Sequence, residues 1–286
     1  MKGIVLAGGT GSRLWPITMS VSKQLLPIYD KPMIFYPIST LMLAGIREIL
    51  LITTPQDQSA FNSVLGDGSA FGLNIQYKVQ ESPDGLAQAF IIGREFLQGE
   101  ASMLILGDNI FHGAGLGTSL RRSIPKTGSH IFTFEVANPT DYGILQVDEV
   151  GMPISIEEKP QTPKSNLAVT GLYFFDERVS TLADSVKPSA RGELEITSLI
   201  EFYLKKKELT YTALGRGTAW LDTGNPNSLH DASSYVRVIE ERSGLKIGCL
   251  EEIAFQNGWL TKDDLLNRAK QLGNNSYAKY LIQIIR

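Results

Sequence analysis

The sequence predicts an α/β fold whose central sheet is mostly parallel and flanked by helices, followed by an antiparallel sheet region and a helical C-terminal part. Three observations carry this expectation. Short apolar, β-branched runs alternate with helical patterns in the first part of the chain, strand candidates follow one another without helices over 130–175, and strand signals fade after Asn227.

The first strands are expected at Gly3–Ala7, Glu48–Thr53, Ile75–Val79 and Met103–Leu106. Between them, Lys31–Ala44 reads as a helix, with Ile34, Ile38 and Leu41 on one face and Gly45 as its stop, and Leu86–Leu97 reads as a second. Strands alternating with helices give a Rossmann-like sheet covered on both faces, with ligands expected at the strands' carboxyl ends. Ile131–Val136, Ile144–Val147, Ile154–Ile156 and Val169–Phe175 make up the antiparallel region. In the tail, Thr261-Lys262-Asp263-Asp264 resembles a capping box, and Tyr277, Tyr280, Leu281 and Ile284 form an apolar stripe expected to pack on its own domain, with a subunit contact as the alternative. Residues 1–226 are read as one α/β core that includes the 130–175 strands, and 227–286 as a helical region packed on it.

With 43% hydrophobic and 20% charged residues, the chain of 286 has the composition of a globular protein able to bury a full core, which excludes a disordered or fibrous class. A net charge of −3 supplies no basic field, so neither nucleic acid nor an anionic membrane is expected as a partner. Cys249 is the single cysteine, suits a reducing compartment and reads as a small buried side chain. No signal peptide is evident at the start and no stretch is long and apolar enough to span a bilayer, so a cytoplasmic location is expected.

Chemistry concentrates in three segments. Leu6-Ala7-Gly8-Gly9-Thr10-Gly11-Ser12-Arg13-Leu14 is a glycine-rich loop directly after the first strand. Its glycines let the backbone turn and aim N–H groups at phosphate oxygens, and Arg13 adds a planar cation with several donors. The Gly-Lys-Ser/Thr ending of a Walker A loop is absent, and Leu14 stands where a dinucleotide fingerprint has its third glycine. Asp30, at the distance of a ribose contact, keeps a dinucleotide reading open. A purely structural turn is the other alternative, and it explains neither Arg13 nor the segment that follows. In Gln80-Glu81-Ser82-Pro83-Asp84-Gly85, an amide able to pair with a pyrimidine edge precedes a turn in which Gly85 permits close approach of a flat base, although an ordinary turn explains Pro83-Asp84-Gly85 equally well. The third segment, Met103–Asn109, is an apolar strand ending in Asp108, with a partner acid available at Asp222 in Trp220-Leu221-Asp222-Thr223-Gly224. Two carboxylates with phosphate oxygens and water suit Mg²⁺, whereas one cysteine and the scattered His112, His130 and His230 do not suit zinc. Glu157-Glu158-Lys159-Pro160 sets an acid able to accept sugar hydroxyl protons beside a phosphate-binding cation; on its own it reads equally as an exposed charged turn.

Gly-Gly-x-Gly-x-Arg-Leu ending at Leu14, Lys-x-Leu-Leu-Pro from Lys23 to Pro27, and Lys31-Pro32-Met33, in that order, resemble the sugar-phosphate nucleotidyltransferases, and the resemblance extends over essentially the whole chain. It implies Mg²⁺-dependent transfer of a nucleotidyl group from dTTP to glucose 1-phosphate, with UTP as the rival nucleotide. By resemblance, Gly8, Gly11, Ser12, Arg13, Lys23 and Gln24 hold the nucleotide with Gln80, Gly85 and Asp108, and Arg13 and Lys23 are the catalytic cations. Ser12 replaces the family's usual Thr and keeps a hydroxyl. Asn109, Tyr142, Gly143, Glu158, Lys159 and Val169 would bind the sugar phosphate, with Arg191 as a further phosphate ligand, and Asp108 and Asp222 would hold the metal. The resemblance also implies a homotetramer and feedback by dTDP-rhamnose. An NAD-dependent oxidoreductase and a non-catalytic nucleotide-binding module remain the readings from other classes.

Overall fold

The computed structural model describes residues 1–286. The chain opens on β1 (Lys2–Ala7), buried along its whole length, and passes through two single 3-10 turns at Ser12–Leu14 and Lys23–Leu25 into a small antiparallel ribbon of β2 (Pro27–Ile28) and β3 (Lys31–Pro32). The helix expected from Lys31 therefore starts later, as α1 (Phe35–Leu43). Lys31 precedes a proline, which disfavours the helical region for it, and its backbone is used by the ribbon instead. Gly45, at φ +89°, follows α1 as the expected stop.

β4 (Glu48–Thr53), α2 (Gln58–Leu65) and β5 (Asn74–Val79) come next. The helical stretch expected over 86–97 is two pieces, α3 (Gln88–Ile92) and α4 (Arg94–Leu97), divided at Gly93. A Cβ there would lie 2.9 Å from the Ala89 carbonyl oxygen and 3.1 Å from Ile4, so the break lets the chain close onto the sheet. β6 (Ser102–Leu106) then completes a parallel set in which Ile4 of β1 lies opposite Leu50 on one side and Leu104 on the other. Ile4, Leu50 and Leu104 pack on one face with Phe90, while Val5, Leu51 and Ile105 pack on the other with Ile38 and Leu41 of α1. Burial on both faces explains why these strands read as unbroken apolar runs.

The second half is β7 (Asn109–His112), α5 (Leu116–Arg122), β8 (Ser129–Glu135), β9 (Gly143–Val147), β10 (Pro153–Glu158) and β11 (Leu167–Phe175). The antiparallel region continues the parallel sheet, because β11 pairs antiparallel with β6 and also with β8 and β9. The main order is β10-β9-β11-β6-β1-β4-β5, with β8 also on β11. After α6 (Val179–Ala183) and α7 (Ile196–Lys205), β12 (Leu209–Ala213) adds to β8 in parallel, and β13 (Ala219–Asp222) pairs antiparallel with β7.

The tail is helical: α8 (Pro226–Ser243), α9 (Leu250–Gln256), α10 (Lys262–Leu272) and α11 (Ser276–Gln283). Leu250, Ile253 and Ala254 of α9 enter the same core as α1. Thr261 and Asp264 exchange both bonds of a capping box. Buried Cys249 packs with Ala269, Ala278, Tyr280 and Leu281, so the last helix's apolar stripe lies against its own chain. A buried charge network joins the ribbon to the tail. The Lys31 ammonium donates to Asp30 at 2.5 Å and to Glu240 of α8 at 2.9 Å, and Lys246 pairs with the same two carboxylates. No helix is long and apolar enough to cross a membrane.

Candidate active site

Loops at the carboxyl ends of β1, β5 and β6 meet the ends of β9, β10 and β11 around a cleft with two adjoining compartments, of about 550 Å³ and about 160 Å³. Gly8, Gly11, Ser12, Arg13, Lys23 and Gln24 line the larger one, as do Gln80, Gly85, Lys159 and Arg191. Asn109, Tyr142, Gly143, Val169 and Asp222 line the smaller. Arg13, Asp108 and Glu158 border both. The residues expected at the site thus converge, but the sugar-phosphate set is divided: its two cations face the compartment of the glycine loop, and the remainder face the smaller one.

The glycine loop follows β1 at the sheet's centre. Gly9 and Gly11 have φ of +93° and +60°, a region that L side chains rarely occupy. The Thr18 hydroxyl donates to the Gly11 carbonyl at 2.7 Å and fixes the return of the loop, while Leu14 is buried beneath it. Arg13 is exposed to the cleft and lies against Gly224, where a Cβ would approach its guanidinium to 3.3 Å.

Gln80, at the end of β5, is buried and donates from Nε2 to Gln88 Oε1 at 2.6 Å, with a longer contact of 3.4 Å to the Gly85 carbonyl. Gly8 makes room for it, since a Cβ at Gly8 would sit 2.4 Å from Gln80 Oε1. Gly85 serves a packing purpose that its sequence context does not reveal. A Cβ there would lie 2.4 Å from the Leu194 nitrogen and 2.5 Å from its carbonyl oxygen. Leu194 N donates to Asp84 O at 2.7 Å and Ala87 N donates to Leu194 O at 3.0 Å, so the two loops are joined by backbone bonds.

Asp108 and Asp222 are brought together by the β7–β13 ribbon, in which Asp222 lies opposite Asn109. Thr223 reinforces the join by donating its hydroxyl to the Asp108 carbonyl at 2.9 Å. The two acids differ in charge environment. Burial raises the Asp108 pKa, but the Lys23 ammonium paired with it outweighs that and holds the carboxyl below its ordinary value. Burial and the neighbouring Asp108 charge push Asp222 upward, with only partial relief from Lys23 and Arg13. Asn109 is buried between them and the sheet: its Oδ1 accepts from Trp220 Nε1 at 2.6 Å and from Gly171 N at 3.2 Å, and its Nδ2 donates to Asp108 at 2.9 Å. It orients its neighbours, and its carbonyl oxygen is already taken.

At the other end, Glu158 closes β10 with its carboxyl held above the usual value by burial and by Glu195, against the pull of Arg191 and Lys159. Lys159 has φ +45°, and its N–H donates to the Tyr142 carbonyl at 3.0 Å. Arg191 forks onto Glu195 at 2.8 and 2.9 Å, with Glu193 at 3.5 Å and Glu158 at 3.6 Å. An anion arriving here would compete with three carboxylates for this guanidinium. Glu193, Glu195, Thr197 and Trp220 line the cleft without having been expected there. The alternating acids of Arg191-Gly192-Glu193-Leu194-Glu195 are the signal that could have found two of them. The histidines serve elsewhere: His112 bonds Tyr235 OH at 2.8 Å, and buried His130 lies between the Thr210 and Thr212 hydroxyls.

A backbone anion cradle with two cations, facing paired acids and a second cationic end, is an arrangement for joining two phosphates. The chain belongs to the nucleotidyl transferase family, whose pattern it matches over residues 2–238, and it is a nucleotidyltransferase. Over its full length it is 57% identical to the glucose-1-phosphate thymidylyltransferase of Neisseria gonorrhoeae and 55% identical to that of Mycolicibacterium smegmatis, covering 99% of each. Among solved structures it resembles a protein described as a glucose-1-phosphate thymidylyltransferase from Bacillus anthracis, in complex with sucrose, at a TM-score of 0.77 and 40% identity, over 83% of this chain and 95% of that one. A UDP-glucose pyrophosphorylase with bound UDP-glucose shares the fold at a TM-score of 0.75 and 22% identity, over 83% of this chain and 98% of that one.

Proposed function

We propose that this enzyme transfers the thymidylyl group of dTTP to glucose 1-phosphate, giving dTDP-glucose and pyrophosphate. The observation that carries the reading is a pair of adjoining compartments, the larger lined by the glycine cradle, Arg13 and Lys23 together with Lys159, the smaller by Asp222, and both bordered by Asp108 and Glu158. The names and identities of the relatives support the same substrates.

Joining two anions is limited by repulsion and alignment, so fixed cations matter more than a nucleophilic side chain. A sugar phosphate, whose second pKa is about 6 like that of other phosphate monoesters, is mostly dianionic at neutral pH and attacks the α-phosphorus without a general base. Gly8, Gly11 and Ser12 would hold the triphosphate with their backbone and hydroxyl. Arg13 and Lys23 would offset the charge that grows on the leaving pyrophosphate, with Gln24 packed beneath. Lys159 and Arg191 would hold the attacking phosphate, while Glu158, Tyr142, Gly143, Asn109 and Val169 would surround the sugar.

Asp108 and Asp222 fit a divalent cation: the β7–β13 ribbon brings the two half-buried acids together, and burial with the neighbouring Asp108 charge pushes Asp222 upward against the pull of Lys23 and Arg13. Mg²⁺ bound there would supply Lewis-acid stabilisation of phosphate charge. The same reading includes a homotetramer, feedback by dTDP-rhamnose and a cytoplasmic location, which sedimentation, inhibition assays and cell fractionation would test.

Pyrophosphate release over a grid of nucleoside triphosphates and sugar 1-phosphates tests the function. The highest kcat/KM is expected for dTTP with glucose 1-phosphate, with UTP second because uracil presents the same pairing edge. A clear preference for UTP, or release with no sugar phosphate, overturns the assignment.

A further inference from the structure

The proposed reaction needs a pyrimidine to be chosen as well as bound, and the Gln80 amide alone does not choose. An amide is donor at one end and acceptor at the other, and a half-turn exchanges them at almost no steric cost. Thymine and uracil present an N3–H donor flanked by carbonyl oxygens. Cytosine presents a bare N3 acceptor beside an amino donor. A Gln80 free to turn over would satisfy either edge.

In this structure Gln80 is not free to turn. Ser82 Oγ donates to Asp84 Oδ2 at 2.5 Å, Gln88 Nε2 donates to the same oxygen at 3.0 Å, and Gln80 Nε2 donates to Gln88 Oε1 at 2.6 Å. The direction of this chain follows from chemistry. A carboxylate only accepts, so the NH2 of Gln88 must face Asp84 and its carbonyl must face Gln80. The NH2 of Gln80 must then face Gln88, which turns Oε1 onto Gly8, inside the cleft. The second Nε2 hydrogen is spent on the 3.4 Å contact to the Gly85 carbonyl, which a base oxygen would readily replace.

We propose that Asp84 and Gln88 are specificity-determining positioning residues that lock the Gln80 amide in the orientation selecting an N3–H pyrimidine, thymine or uracil, over cytosine. The inference rests on the placement of the base against Gln80 in the proposed function. Cytosine would set acceptor against acceptor at N3 and donor against donor at the amino group. Turning Gln80 to suit it would require Gln88 to turn as well, and that would press the Gln88 carbonyl against the Asp84 carboxylate.

The test is kcat/KM for dTTP, dUTP and dCTP with glucose 1-phosphate in the wild-type enzyme and in variants. Gln88→Leu removes the acceptor that holds Gln80, and the dTTP:dCTP ratio should fall by about ten-fold or more while dTTP:dUTP stays within about two-fold. Asp84→Ala, at an exposed position, should shift the ratio in the same direction without disturbing the buried part of the relay. Combining Asp84→Asn with Gln88→Glu should restore discrimination, because the new amide at position 84 can donate to the new carboxylate at 88, which still accepts from Gln80. If Gln88→Leu and Asp84→Ala keep the wild-type dTTP:dCTP ratio, or lower all three nucleotides equally, the relay has no part in selection. Gln80→Ala separates the two levels. A ratio it collapses but Gln88→Leu spares defeats the relay alone, whereas a ratio it leaves intact defeats the placement of the base and this proposal with it.

Discussion

The two ends of the cleft are built from different materials. The end assigned to the nucleotide is mainly backbone: a loop at the centre of a parallel sheet, glycines at positive φ, and the cations Arg13 and Lys23. The end assigned to the sugar phosphate is mainly charged side chain, where Lys159 and Arg191 stand among Glu158, Glu193 and Glu195. Backbone amides cannot be mutated away or titrated, so the first end is as constant as the sheet beneath it. The second is a balance of charges, adjustable by single substitutions. In the proposed reading the triphosphate sits where geometry must not vary, and the sugar phosphate where it can.

The acids between the ends should give the largest effect. Asp108→Asn and Asp222→Asn should each lower kcat by about 100-fold or more at saturating Mg²⁺. Their stabilities should part company. Asp108→Asn strips buried Lys23 of its partner and should lower the melting temperature, whereas Asp222→Asn removes a carboxylate whose charge the fold disfavours and should raise it. Near-normal turnover of either variant, measured by pyrophosphate release, would remove the two-carboxylate site.

At the backbone end, Arg13→Lys keeps the charge but loses the planar fork, and single-turnover rates should drop by about ten-fold or more. Retention of the full rate in both Arg13→Lys and Arg13→Ala would make the loop merely structural. At the charged end, Lys159→Ala should raise the KM for glucose 1-phosphate by about ten-fold with dTTP binding unchanged by calorimetry. A loss confined to dTTP would reverse the assignment of the two ends.

Gly85→Ala asks whether the ends are independent at all. The added methyl must displace the Leu194 backbone, which bonds Asp84 and Ala87. KM should therefore rise a few-fold for both substrates, roughly three-fold each, and an effect on dTTP alone would show that the join is passive.

The last effect falls on stability and leaves turnover alone. Burial lowers the His130 pKa from 6.5 to about 4, and the parallel strands of the nucleotide side contain no histidine. A histidine buried neutral contributes its full stability above pH 6.5 and loses it as pH falls toward 4, because the unfolded chain takes up the proton first. Urea titrations of His130→Gln should lose less stability than wild type over that interval, by on the order of 2 kcal/mol. Parallel curves would assign the acid response to other groups.

The same contrast decides what the sequence could reveal. β1 and its loop are legible because an unbroken apolar run followed by glycines and an arginine fits little besides a buried strand opening onto an anion site. The charged end draws on Tyr142, Glu158, Val169 and Arg191, from separate strands and a loop, and no local pattern joins them. Asp222 is recognisable as an acid after a short apolar run, but its pairing with Asp108 depends on the β7–β13 ribbon, too short to show a periodicity. Gly85 reads as a turn or a base contact because its neighbour, Leu194, lies far along the chain. α7 is recoverable: Ile196, Leu199, Ile200 and Tyr203 recur at helical spacing and are all buried.

The buried network between the ribbon and α8 bears on how far the chain could be shortened. Lys31 has a side chain only 2% exposed, and Glu240, one of its two carboxylates, belongs to α8, with Lys246 in the loop that follows it. A chain cut before Pro226 would remove Glu240 and Lys246 together and leave Lys31 with Asp30 as its one counterion, close after the segment that carries Lys23 and Gln24. The same cut would uncover Ile28, Met33 and Tyr36, which Ala232, Val236 and Ile247 cover, and would strip Leu250, Ile253 and Ala254 from the core around α1. The C-terminal helices are thus the outer wall of the catalytic half, and a working minimal enzyme would have to replace that apolar face as well as the charges before it could dispense with them.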